Sequence, residues 1–187
     1  MGAERSARFH YYGIAQFEIE VIYSALKGVF GSVDELQLPI EDIQYVSMVE
    51  IEFPIPFGES FFQIFTVERW YKIKGLIKEM KRRRGSRRGV KAFISFSGIT
   101  PAELKPRLIF SLMSKNNRHF EMAIEKIEYL VDIIPIQMQN FPATGNNMEE
   151  IVYHYDELNF KWDPYSAKDS DGSEYYYLRK TNELKRR

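Results

Sequence analysis

The apolar residues of this chain switch between two spacings, and this switch limits the folds that the chain can adopt. From Ile43 to Phe53, apolar side chains occupy alternate positions, which is the spacing of a strand with one buried face. From Val67 to Arg83, apolar side chains follow the three- to four-residue spacing of an amphipathic helix. The sequence therefore predicts an α+β protein.

The patterns as far as residue 97 form the order strand, helix, strand, strand, helix, strand. The two helices are predicted at 15–30, where Gly31 ends the first, and at 67–83, where the loop 85–89 follows the second. The four strands are predicted at 8–12, 43–53, 60–66 and 90–97. This order is that of a ferredoxin-like split βαβ core, β-α-β-β-α-β.

The rest of the chain is predicted to extend that core by a strand-helix-strand unit. After a strand at 107–113, Asn116 or Asn117 caps a helix that runs to about Val131, and Pro135 ends it. The later segments are a loop (140–148), a long strand (150–162), a turn (169–172), a strand (175–177) and a frayed basic tail (185–187). No internal repeat divides the chain. We predict a single α+β domain over 1–187, with its core at about 8–97 and the extension at about 105–180.

Composition and missing motifs narrow the function. The chain has no cysteine, which excludes disulfides, thiolate metal sites and cysteine nucleophiles. No apolar run approaches the ~18 residues that span a bilayer, and the N-terminus lacks the apolar stretch of a signal peptide. We therefore expect a cytoplasmic protein without a membrane partner. Familiar catalytic and nucleotide-binding motifs are absent, so we predict no cofactor, metal site or catalytic residue and favour a binding role over an enzyme.

The net charge of zero conceals a strong charge asymmetry. From Arg69 to Lys91 the sequence has eleven lysines and arginines and one acid, Glu79, for a local net charge of +10. Residues 1–66 have three basic and ten acidic side chains, for a net charge of −7. The helix dipole stabilises two or three cations near a helix C-terminus. Eleven cations within this tract repel one another. We therefore expect an anionic partner for this tract.

The predicted anion-binding residues all lie on the second helix and in the loop after it. They are Lys74, Lys78, Lys81, Arg82, Arg83, Arg84, Arg87 and Arg88. Arginine offers paired donors to phosphate oxygens, and Gly85 and Gly89 would let the loop backbone approach a phosphate closely. The main hypothesis is therefore a non-catalytic protein that binds a polyanion, most plausibly nucleic acid.

Two other hypotheses come from different functional classes. In the first, the basic tract meets an acidic protein surface, including that of a second copy of the chain. The predicted third helix has an acidic stripe that would suit this, formed by Glu121, Glu125, Glu128 and Asp132. In the second, the chain is an enzyme that acts on a phosphorylated small molecule, with the arginine loop holding phosphate and a histidine as acid or base. His10, His119 and His154 match no metal-binding spacing, and the sequence leaves open whether they form any site.

Overall fold

The computed structural model describes residues 6–40, 42–97, 106–139, 141 and 148–187. These residues form one nine-stranded sheet, in the order β2-β1-β3-β4-β5-β6-β7-β8-β9. The strands are β1 (Ser6–Tyr12), β2 (Ser32–Gln37), β3 (Tyr45–Phe53), β4 (Gly89–Phe96), β5 (Arg107–Ser114), β6 (Met148–Asp156), β7 (Lys161–Asp169), β8 (Glu174–Leu178) and β9 (Glu183–Arg186).

The helices connect parallel neighbours in the sheet. They are α1 (Gln16–Phe30), the short α2 (Glu59–Phe61), α3 (Val67–Arg84), α4 (Asn117–Glu125) and α5 (Ile133–Gln139). A π-helical turn at Phe62–Thr66 joins α2 to α3, and a 3₁₀ turn at Glu128–Val131 lies between α4 and α5. The pairs β1/β2, β3/β4 and β5/β6 are each parallel, and consecutive pairs meet in antiparallel fashion. The first six strands are therefore three βαβ units placed side by side.

The core forms between the sheet and the row of helices α1, α3 and α4. We expect the apolar stripes of the helices predicted at 67–83 and from Asn116 or Asn117 to about Val131 to be buried. Their side chains Trp70, Ile77, Ile124 and Ile127 face this core and are fully buried. The inward residues of β3, such as Val49 and Ile51, pack against the same stripes. The burial expected from these two stripes is therefore confirmed.

The ferredoxin-like core is not confirmed, although the element order agrees with it. In a split βαβ unit another strand separates the two parallel strands. In this protein β1 pairs directly with β2, and β3 pairs directly with β4. The α+β class and the extension of the sheet by a further strand-helix-strand unit are confirmed, but the sheet is larger than predicted.

The predicted strand at 60–66 is wrong, because this segment is helical. Phe61 and Phe65 are both fully buried, with ring centroids 5.5 Å apart, so the aromatic residues pack at helical spacing. Thr66, with a φ of 68°, turns the chain from the π-helical turn into α3. The sequence missed the edge strand β2, whose residues are mostly polar and exposed. The predicted order of strands and helices still agrees with the structure, because the false strand at 60–66 replaces the missed strand β2 in the count.

The C-terminal part also differs from the prediction. The single strand expected at 150–162 is a hairpin, because β6 ends at Asp156 and the chain turns before β7. The tail expected to fray forms the edge strand β9. Pro135 lies in the first turn of α5, where the missing amide hydrogen is tolerated, and does not stop the helical path. The predicted loop at 140–148 lies outside the described residues except for Phe141 and Met148.

Candidate anion-binding site

The basic helix α3 lies next to carboxylates of α4 and of the turn that follows it. Lys74 is buried, and its ammonium group donates hydrogen bonds to Glu125 Oε2 at 2.9 Å and to Glu128 Oε1 at 2.5 Å. Lys78 is half-buried and bonds to the second oxygen of Glu125. Lys74, which the sequence placed among the anion-binding residues, is therefore buried and neutralised by acids from another part of the chain.

The next cations along α3 lie nearer to solvent. The guanidinium of Arg82 donates two parallel hydrogen bonds to Glu121, at 2.7 and 2.8 Å. Arg83 lies 3.4 Å from Glu79 and stacks on the ring of Phe17 at 4.6 Å. The side chains of Arg82 and Arg83 remain 53% and 42% exposed, so a partner could still reach them.

Arg84 has a structural role between α3, β3 and the end of β1. Its guanidinium donates to Ser47 Oγ at 2.6 Å and to the Gly13 carbonyl at 2.6 Å, and it lies 3.4 Å from the buried carboxylate of Glu18. Only 15% of the side chain is exposed. Arg84 is therefore less accessible than expected, because it joins three elements of the fold.

Lys81 is fully buried, and no carboxylate lies within ion-pair distance of it among the described residues. Its ammonium group donates to the carbonyls of Gly85 at 2.8 Å and Arg88 at 3.2 Å, and to Asn117 Oδ1 at 2.7 Å. Burial lowers the pKa of Lys81 below its ordinary value. Lys81, which the sequence placed among the anion-binding residues, therefore holds the arginine loop against the start of α4 and does not face solvent.

That arrangement brings exposed cations from separate segments together. Arg87 and Arg88 are exposed in the loop beside α4, and Arg118 is exposed in the first turn of α4. Gln44 connects Lys115 to this loop, since its carbonyl accepts from the Gly89 amide at 2.9 Å and its side chain accepts from Lys115 at 3.1 Å. We call the four cations Arg87, Arg88, Lys115 and Arg118 the basic end. None of the four forms an ion pair with any residue that the structure describes.

Sequence reasoning included Arg87 and Arg88 in the site but missed Lys115 and Arg118. The two missed cations lie 24 and 27 residues beyond Lys91, the end of the basic tract. A signal was present, because they flank the asparagines predicted to cap a helix. A helix N-terminus carries partial positive charge, so cations beside one suggest an anion site.

The pKa values of two carboxylates that face α3, Glu121 and Glu125, are lowered from their usual range. The hydrogen bonds from Arg82 lower the pKa of Glu121 and outweigh the opposing effect of burial. Burial raises the pKa of Glu125, but the hydrogen bonds from Lys78 and Lys74 outweigh it, and the net pKa is lowered. Both carboxylates thus remain charged at mildly acidic pH.

Replacing Glu121 and Glu125 by glutamine should therefore remove an acid-sensitive part of the stability. Because their folded pKa values lie below the ordinary value of about 4.3, the unfolded chain binds more protons as the pH falls. Both side chains are partly exposed, and Glu128 still neutralises Lys74 in the variant. We therefore expect the double variant to be less stable than wild type by roughly 0.5–1 kcal/mol at neutral pH. The difference should shrink once the pH falls below the ordinary carboxylate pKa and vanish below the folded pKa values.

Urea unfolding between neutral and acidic pH measures this difference. The matched control is the pair Glu149→Gln and Glu183→Gln, whose exposed carboxylates form no ion pair among the described residues. The control should follow wild type at every pH. A constant difference for the Glu121/Glu125 variant across the titration would contradict the assignment.

The three histidines do not form a common site. His10 lies 3.5 Å from Glu50 on the sheet face opposite the helices, whereas His119 bonds to Glu157 at 3.0 Å at the start of α4. His154 stacks on Tyr165 with ring centroids 4.0 Å apart, and burial lowers its pKa. Among the described residues, no group of three or more histidine and carboxylate side chains is arranged to hold a metal ion.

No known protein family matches this chain, and neither does any curated protein or solved structure with which it was compared. Within the described residues, no helix has the length and apolar character needed to cross a membrane. The function of this chain is therefore inferred from its own geometry.

Proposed function

We propose that this chain is a non-catalytic binding protein and that its basic end binds the phosphates of a nucleic acid. The observation that supports the proposal is the role of Lys81. By bonding to the Arg88 carbonyl and to Asn117, Lys81 keeps the arginine loop beside α4 and groups four exposed cations. Backbone-phosphate contacts of this type depend on charge and carry no sequence preference.

The proposal narrows the binding residues expected from sequence. Lys74, Lys78, Lys81 and Arg84 are committed to contacts within the fold, whereas Arg87 and Arg88 remain free to meet a partner. Arg82 and Arg83 add half-exposed charge beside them. The positive end of the α4 dipole lies at the same place and favours anions.

The acidic-protein and enzyme hypotheses stay predictions. In both of them the basic end would bind the anionic group. An acidic protein would also meet the basic end, but it would lack the regular spacing of phosphates that lets several cations bind at once. The enzyme hypothesis requires a histidine facing the arginine loop. The ring of His119 is instead bonded to Glu157.

Changing Arg87, Arg88, Lys115 and Arg118 together to glutamine should weaken nucleic-acid binding and its dependence on salt. Each duplex phosphate that a cation neutralises contributes about −0.9 to the slope of log affinity against log salt. We therefore expect the slope to flatten by about 0.9 for each phosphate that the variant leaves without a cation. Fluorescence anisotropy with short duplex and single-stranded oligonucleotides over a salt series measures it.

A matched variant tests whether the position of the four cations, and not only the total charge, determines nucleic-acid binding. Lys27, Lys72, Lys180 and Lys185 are also exposed, and changing them to glutamine removes the same charge elsewhere. This control should keep most of the slope. If wild type fails to bind either oligonucleotide at low salt, the nucleic-acid proposal is wrong. Binding to polyglutamate in that case would favour the acidic-protein hypothesis.

A further inference from the structure

The C-terminal part of the sheet has an open cavity on its helix side. Residues 148–187 are all described and contain no helix, because β6 to β9 are joined by turns. The cavity has a volume of 540 Å³ and lies between α5 and the strands β7 and β8. This volume is within the range of small-molecule sites, about 300–1,000 Å³.

The hydrogen-bond ladder between β7 and β8 is short beside this cavity. Strand β7 pairs with β8 only over Ser166–Lys168, so its first half is bonded on one side, to β6. Pro164 lies in that half, next to a bulge, and proline has no amide hydrogen to donate to a ladder. Trp162 of β7 and Tyr177 of β8 both line the cavity, and the two residues are not paired with each other in the sheet.

Apolar side chains that ordinarily avoid water surround the cavity. Tyr129, Ile133 and Ile136 line it from the helix side, and Ile136 is 61% exposed. Trp162 lines the opposite wall and is held by a hydrogen bond from its indole nitrogen to the Ala123 carbonyl at 2.9 Å. Such a cluster of exposed apolar groups commonly marks a binding site.

The charge at the rim indicates the polarity of the ligand. Lys126 lines the cavity and bonds to the Phe160 carbonyl, but it forms no ion pair with any described residue. Lys161 lies 3.1 Å from Asp163, so the one carboxylate among the described residues that line the cavity is already paired. An anionic group would therefore find an unpaired ammonium group beside an apolar wall.

We propose that this cavity binds a small amphipathic organic anion, independently of the basic end. Its apolar body packs between Ile136 and Trp162, and its acidic group accepts a hydrogen bond from Lys126. A compact ligand of this kind covers the exposed apolar side chains and neutralises Lys126 at once.

The probes are 8-anilinonaphthalene-1-sulfonate, whose fluorescence rises in apolar sites, and two competitors with the same alkyl chain. Dodecanoate has an acidic group and dodecyltrimethylammonium has a cationic one. We expect one bound fluorophore per chain, displaced by dodecanoate at a concentration at least about tenfold lower than that of the cationic competitor. A tenfold preference corresponds to one charge-assisted hydrogen bond.

Two variants locate the site. Ile136→Asp changes an exposed side chain and should abolish binding, whereas Lys126→Met should weaken dodecanoate about tenfold and remove the preference over the cation. Ile43→Asp, at an apolar residue far more exposed than Ile136, is the matched control and should bind like wild type.

Three results would overturn the proposal. Equal displacement by both competitors would show an apolar groove without preference for an anion. Binding that survives Ile136→Asp would place the probe elsewhere. Sedimentation that shows a dimer whose formation excludes the probe would make this surface an interface between copies of the chain.

Discussion

Replacement of Glu128 by leucine should lower the free energy of unfolding by about 3 kcal/mol. Glu128 accepts a hydrogen bond from the buried Lys74 and one from the Trp70 indole at 3.1 Å. Removing one partner of a buried ion pair costs roughly 3–5 kcal/mol. We expect the lower end because Glu125 still accepts from Lys74. Urea unfolding monitored by circular dichroism measures the change.

A double-mutant cycle with Lys74→Met tests the reason for that loss. Removing both charges leaves an apolar contact, so the double variant should lie within about 1–2 kcal/mol of wild type. Glu174→Leu, which breaks an exposed pair with Arg187, should cost less than about 1 kcal/mol. A cost below that same level for Glu128→Leu would mean that Lys74 reaches water when Glu128 is replaced.

Replacement of Ile77 by alanine should cost about 2–5 kcal/mol, because it leaves a cavity beneath the basic helix. Ile77 is fully buried on the apolar stripe of α3, whereas Ile43 is 92% exposed in the loop before β3. Ile43→Ala makes the same chemical change and should alter stability by no more than about 0.5 kcal/mol. Denaturant unfolding of both variants measures the contrast. Equal effects would contradict the packing of α3 on the sheet.

The segments that were predicted correctly from the sequence have apolar spacings and helix caps that depend only on residues close to one another along the chain. The stripe from Trp70 to Met80 repeats over several helical turns, and α3 spans Val67–Arg84. Gly31 adopts a left-handed φ of 70° and ends α1 as expected, and Asn116 caps α4 through its side chain. In these places local conformation and burial favour the same structure.

Short aromatic or polar segments were predicted poorly because their periods are ambiguous. Residues 60–66 have aromatic side chains compatible with either alternation or helical spacing, and packing of Phe61 and Phe65 in the core selects the helix. Strand β2 has few apolar residues, and its pairing with β1 makes it a strand. In segments of six or seven residues, the intrinsic preference for helix or strand is too weak to override tertiary contacts.

The features of the candidate site also differ in whether they depend on sequence neighbours or on residues far away in the sequence. The basic helix, its buried stripe and the concentration of positive charge could be predicted from the sequence, because each depends on neighbours along the chain. The free cations could not be identified in this way, since the acids that pair with Lys74, Arg82 and Arg84 lie 51, 39 and 66 residues away. Charge interactions act through space and not along the chain. Folding brought these acids to α3, and it brought the unpaired Lys115 and Arg118 to the loop that follows α3.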